Sequence, residues 1–177
     1  MNCKFSRALN RRRSSSTAVN GFTLMELLIV IAIILILMLM AIPTTRRLTI
    51  KGNETSAINS VQTILKAETM YSSDFPANGY ACTLSALGGE SSGGNPSATS
   101  AQILQSDLAS GYKSGYVFTI GNCTKVTVNG TDRFTGYTVT AVPETVGKTG
   151  FRGFCMDEGG TIKYDPAGGT NCTQTLQ

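Results

Sequence analysis

Hydrophobic positions change their spacing along this chain, and each spacing implies a different element. From Phe22 to Ile42 they run without a break: only Thr23 and Glu26 are polar before Pro43. Those twenty-one residues, as a helix, span about 31 Å, the thickness of a bilayer's hydrocarbon core. A helix is the only element that satisfies its own backbone there. The run is too long for a secretory h-region, and Leu39-Met40-Ala41 lacks the small-x-small pattern preferred by signal peptidase.

From residue 44 to 73 the spacing becomes helical. Ile58, Val61, Ile64, Leu65 and Tyr71 fall near one face. Lys51, Glu54, Lys66 and Glu68 are expected around the polar side. Gly52-Asn53 interrupts the run as a candidate flexible point. One long helix is predicted from Phe22 to about Ser73, stopped by Asp74-Phe75-Pro76-Ala77-Asn78-Gly79. Residues 77–114 are irregular. Gly88 to Ser100 is a flexible loop by composition and lacks the Gly-Lys-Ser/Thr ending of a phosphate-binding loop. A short helix is expected around Ala101–Ala109.

From Gly115 the period falls to two. Tyr116, Phe118 and Ile120 alternate with Val117 and Thr119. Val126 and Val128 continue the alternation, as do Tyr137, Val139 and Ala141. Phe154-Cys155-Met156 and Thr161-Ile162-Lys163-Tyr164 flank Asp157-Glu-Gly-Gly160, a hairpin turn. Four strands in meander order follow, an antiparallel sheet with one wet face. The fold class expected is α+β, a long N-terminal helix packed on a small antiparallel β-sheet. The segments are 1–21 (leader), 22–43 (apolar helix), 44–76 (amphipathic helix), 77–114 (variable loops) and 115–177 (sheet and C-terminal region).

Composition changes this picture in three ways. Lys4, Arg7, Arg11, Arg12 and Arg13 precede Gly21, and no acid does. Without residues 1–21 the chain has ten basic and eleven acidic side chains, so its +4 total gives no support to nucleic-acid binding. Those five cations favour an N-in orientation, opposed by the fewer Arg46, Arg47 and Lys51. The chain also has no His, the commonest general base and a common metal ligand. Asp157 and Glu158 are adjacent acids in a predicted turn, most simply solvated, and nothing marks Lys163 or Tyr164 as catalytic. No enzyme, cofactor or metal is expected.

Cys3 lies in the leader. Cys82, Cys123, Cys155 and Cys172 remain, an even number in an exported domain, which points to two disulfides. Three pairings exist. Cys155–Cys172, tying the tail to the last hairpin, and Cys82–Cys123, tying the loop region to the sheet, are favoured. A four-cysteine zinc site is the alternative, without any Cys-x-x-Cys pair. Asn53, Asn122, Asn129 and Asn171 head Asn-x-Ser/Thr triplets, which a Thr-rich chain produces often by chance.

Glu26 is the anomaly of the apolar run. A carboxylate at a membrane's centre costs about 2.5–3.5 kcal/mol on insertion scales. It can snorkel to the interface, or it can have a partner. A cut between Gly21 and Phe22 would supply one: a positive amine one turn away, on the same chain or a neighbour.

Gly21-Phe22-Thr23-Leu24-Met25-Glu26-Leu27-Leu28-Ile29-Val30 resembles the class III signal sequence of type IV pilins and type II secretion pseudopilins. Met25 departs mildly from a more usual aliphatic. The resemblance is strong over about residues 13–43 and architectural beyond. It implies cleavage by prepilin peptidase after Gly21 and N-methylation of Phe22. It also implies assembly through Glu26, with Thr23 beside it, against the Phe22 amine of an adjacent subunit. Pro43 falls where many members carry a helix proline; a kink and an ordinary helix end are equal readings. The implied partners are copies of the chain, minor pilins, prepilin peptidase, an inner-membrane assembly platform with an ATPase motor, and lipid before assembly. The implied location is the inner membrane, single-pass and N-in, then an extracellular pilus or periplasmic pseudopilus.

Three functions compete. A pilus subunit is favoured. A type II secretion pseudopilin is second, since the acidic calcium-binding loop typical of the major pseudopilin is missing here. A membrane-anchored binding domain that never polymerises is third, and it leaves the spacing of Gly21, Phe22 and Glu26 without a reason.

Overall fold

The computed structural model describes residues 21–89, 94–128 and 130–176, and within them leaves aside the side chains of residues 40–44. The leader therefore lies outside the described residues. The chain divides into two compact units, with the boundary between Ala41 and Ile42. One helix, α1 (Leu24–Asp74), contributes to both. It passes through Gly52-Asn53 without interruption, so the expected flexible point is an ordinary stretch of helix. Asn53 is fixed instead: its Nδ2 donates to Thr149 O at 2.9 Å. The helix ends before Pro76, which disfavours helical backbone at Phe75.

Among the described residues of the first unit, none covers an apolar face of α1. Every large apolar side chain recorded between Phe22 and Leu39 is at least 43% exposed. A helix that is apolar all round, rather than along one stripe, requires lipid or other helices around it.

The second unit is α+β. After α1 come α2 (Leu84–Leu87), α3 (Ser106–Ala109) and six strands: β1 (Tyr112–Lys113), β2 (Tyr116–Val128), β3 (Thr131–Pro143), β4 (Gly153–Asp157), β5 (Ile162–Asp165) and β6 (Gln174–Thr175). The sheet order is β1-β2-β3-β4-β5-β6, antiparallel throughout. The four expected strands are β2 to β5, and two short edge strands complete the meander. The alternation read from the sequence is the burial pattern. Tyr116 and Phe118 in β2 and Tyr137, Val139 and Ala141 in β3 point inward. They pack with Ala57, Val61, Ile64, Ala67 and Tyr71 of α1 in one core.

Two expectations change. Residues 77–114 are no mere loop: Ala81, Leu84, Leu87, Ala101, Leu104 and Leu108 all join that core. The backbone around them is satisfied locally, with Ala101 N and Ile103 N donating to Ala86 O and Leu87 O at 2.8 and 2.9 Å. Residues 90–93 of the Gly/Ser stretch lie outside the described residues. In addition, Glu54 and Glu68 are not on a solvated face; they are 6% and 0% exposed.

The disulfides are Cys82–Cys123 and Cys155–Cys172. A bulge between Gly121 and Thr124, with Asn122 at φ 49°, carries Cys123 at the point where β2 leaves the core. At Gly153 only a hydrogen fits, because a Cβ would meet the Gly169 carbonyl.

Candidate processing and assembly site

The head of α1 is built from four residues. Gly21 and Phe22 lie outside the helix and are exposed, Phe22 at 83%. Thr23 begins the helix as its cap. Its carbonyl accepts from Leu27 N at 3.2 Å, and its hydroxyl accepts from Glu26 N at 3.2 Å. Glu26 returns the bond: its Oε2 accepts from Thr23 N at 3.0 Å and from the Thr23 hydroxyl at 2.9 Å. This is a capping box, in which residues three apart satisfy each other's free backbone N–H groups. It also places a carboxylate in the first turn, where the helix dipole is positive.

The reciprocal cap was missed in the sequence, although Thr-x-x-Glu before an apolar run is its signature. By residue type alone, Glu26 reads as a misplaced charge and Thr23 as its neighbour. The cap explains how the acid is held without any partner chain. The carboxylate and the N-terminal end of the chain are kept within one helical turn by bonds that survive a cut before Phe22, because Thr23 keeps its amide.

Gly21 meets nothing: a Cβ built there has no neighbour within 4 Å, and its φ is not in the left-handed region. The chain's own fold therefore gives no reason for a glycine at this position. Any requirement for one comes from a molecule that binds it.

The other predicted residues are elsewhere. Pro43 lies within α1, its side chain outside those described. The four cysteines belong to the second unit. Asp157 and Glu158 form the β4–β5 turn, where Asp157 O accepts from Gly160 N at 3.0 Å and Asp157 Oδ1 from Gly159 N at 3.1 Å. Of the Asn-x-Ser/Thr triplets, Asn53 has its amide nitrogen engaged, and Asn129 is outside the described residues. Among the described residues no group of three or more acidic or cysteine side chains is placed to hold a metal ion.

Among the described residues no helix is long and apolar enough to cross a membrane. The described part of the continuous apolar run ends at Leu39, short of the about twenty residues a span requires. The full run in the sequence continues to Ile42.

No curated protein and no solved structure matches this chain. Residues 17–42 match the prokaryotic N-terminal methylation motif, and this stretch is a class III signal peptide typical of type IV pilins and pseudopilins.

Proposed function

We propose that the chain is a structural subunit of a type IV pilus, cut between Gly21 and Phe22, methylated on Phe22 and assembled through its N-terminal helix. The observation that carries this reading is the sequence of features at one point. An unrequired glycine, an exposed Phe22 and a capped Glu26 stand at the head of a helix that is apolar on every side.

The mechanism follows from those features. Lipid covers the apolar helix of the precursor, which sits N-in in the inner membrane. In a fibre, neighbouring helices cover the same surface. The exchange is close to neutral in hydrophobic terms, so extraction needs a motor and an assembly platform outside this chain. Charge sets the register. Glu26 pairs with the Phe22 amine of the adjacent subunit, and an unpaired acid in the fibre core carries a large penalty. The chain acts by polymerising and catalyses nothing.

The test is intact mass and N-terminal sequencing of the protein from native membranes or sheared fibres. A chain beginning at methylated Phe22 supports the reading, and one beginning upstream of it defeats the reading. Glu26→Ala separates assembly from anchoring: fibres disappear while the cut chain stays in the membrane. Fibres formed normally by that variant would mean that another device sets the register, whereas a cut wild-type chain that stays in the membrane and forms no fibres would favour the membrane-anchored binding domain. A pseudopilin, the second reading, predicts processed protein that stays periplasmic and is never sheared from the cell surface.

A further inference from the structure

Where α1 ends, residues 78–82 form a strap that ties the helix to the sheet. At its start, the Phe75 carbonyl accepts from Asn78 N and Gly79 N at 3.0 and 3.3 Å. On β3, Phe134 O accepts from Tyr80 N at 3.0 Å, and Phe134 N donates to Asn78 O at 2.9 Å. Gly79 permits that approach: its φ is 76°, and a Cβ there would meet the Phe134 carbonyl. Ala81 N then donates to Glu68 Oε2 at 2.7 Å. The Cys82–Cys123 bond closes the far end.

Among these holds, only the bond to Glu68 depends on a group that titrates. Glu68 is 0% exposed. Its Oε1 and the Tyr137 hydroxyl are buried without a partner among the described residues. The Tyr80 ring of the strap lies edge-on to Tyr137, with centroids 4.9 Å apart. The titratable groups around this pair are Tyr71 on α1, Tyr80 in the strap, Tyr137 on β3, and Asp157 and Glu158 in the β4–β5 turn. None of them is a cation. Lys66, the nearest cation along the helix, is exposed. Glu54, by contrast, is buried with Arg152 as its ion-pair partner. A carboxylate held from water with no opposite charge is among the most costly groups a core can contain.

We propose that residues 78–82 are a pH-operated strap: ionisation of Glu68 lifts them from α1 and β3 while the rest of the core stays folded. Lifting Ala81 admits water to the carboxylate at the loss of a few hydrogen bonds, a smaller disruption than opening the helix–sheet core. The strap stays attached at Phe75 and through the disulfide, so it opens as a closed loop and can return. The β3–β4 pairing begins only at Thr138, so the lifted strap bares the β3 edge at Phe134, and an open edge is a template for another strand.

The sign follows from linkage. In the closed strap Glu68 is pushed up to about 8, and in the open one it returns to its ordinary 4.5. Protons therefore favour the closed state, which is tightest below about pH 4.5 and loosens as pH rises toward 8. The opening constant should rise about ninefold from pH 6 to 7, about fivefold from pH 7 to 8, and level off above that.

Residue-resolved hydrogen exchange of the full chain in detergent, corrected for intrinsic rates and repeated at several low urea concentrations, tests this. The amides of Tyr80, Ala81 and Phe134 should exchange through an opening that urea scarcely promotes and that follows this pH course. Amides paired between β3 and β4 should exchange only through a larger, urea-sensitive opening. Glu68→Gln keeps an acceptor for Ala81 N and removes the charge, so it should make protection of the strap independent of pH. Should that variant misfold, the urea and pH dependence of the wild-type chain decide alone. Strap amides that open only together with the β3–β4 amides, at the same urea dependence, overturn the proposal. So does a strap opening that ignores pH, or a pH dependence that Glu68→Gln retains.

Discussion

Glu68 and Glu54 share one helix and meet burial in opposite ways. Glu68 Oε2 accepts from Ala81 N at 2.7 Å, while its Oε1 and the Tyr137 hydroxyl are buried without a partner among the described residues. Burial, only partly opposed by the Ala81 bond, pushes its carboxyl up to about 8. Tyr71 and Tyr137 are raised in turn, first by burial and then by this neighbour. Glu54 feels burial most strongly too, but the Arg152 and Phe151 hydrogen bonds together outweigh it and hold its carboxyl below the usual range. The signs for stability follow. Glu68 binds a proton on folding, so its contribution is full below about pH 4.5 and is lost as pH rises through about 8. Within that window the slope is about 1.4 kcal/mol per pH unit. Glu54 contributes above its ordinary value and loses that contribution as pH falls through its lowered one. Urea titrations from pH 5 to 8 should therefore show falling stability, and Glu68→Gln should flatten the slope; an unchanged slope would assign it to other groups. Arg152→Ala leaves Glu54 with its backbone donors alone and should cost about 2 kcal/mol at pH 7 in the same measurement.

At the scale of elements, residues 77–114 are held by chemistry as well as packing. The Cys82–Cys123 bond spans 41 residues, and Cys155–Cys172 spans 17. A longer closed loop restricts the unfolded chain more. Loop entropy gives about 4 kcal/mol for the first and about 3 kcal/mol for the second. Paired Cys→Ser variants, compared by urea unfolding, should rank in that order. The reverse order would mean that strain or residual structure in the unfolded chain dominates. The Cys82–Cys123 pair matters further because α2 and α3 are only four residues each. Helices that short have little stability of their own. They persist because Leu84, Leu87 and Leu108 are buried against α1 and the sheet.

For the whole molecule, the two units call on different solvents. Unit one exposes an apolar helix that only lipid, detergent or other copies can cover. Unit two carries its own core and disulfides. Detergent should dissolve the proposed fibres to monomers while the thermal unfolding midpoint of the disulfide-bonded unit, followed by near-ultraviolet circular dichroism, stays within a few degrees of its value in the fibre. A midpoint that collapses on disassembly would show that unit two depends on its neighbours.

What the sequence determined by itself is whatever local order specifies. The continuous apolar run demands a helix regardless of its neighbours, and the period-two stretches state which side of each strand is wet. The residues from Gly21 to Glu26 lie within about one turn of each other, so their geometry is local as well. Even the missed capping box was written there, three residues apart. The tertiary structure decided everything that joins distant segments. Glu54 and Glu68 look solvated by helical spacing, yet both are buried in the folded chain, where they meet Arg152, 98 positions away, and Ala81, 13 positions away. The Gly/Ser-rich flank of residues 77–114 obscured a set of leucines that count as core only once α1 and the sheet surround them. The disulfide pairing favoured among three was settled by where the segments around Cys82 and Cys172 meet β2 and β4. The loop at Phe151 meets α1 because Glu54 draws it onto the helix, and a contact between residues nearly a hundred positions apart leaves no periodic trace in the sequence.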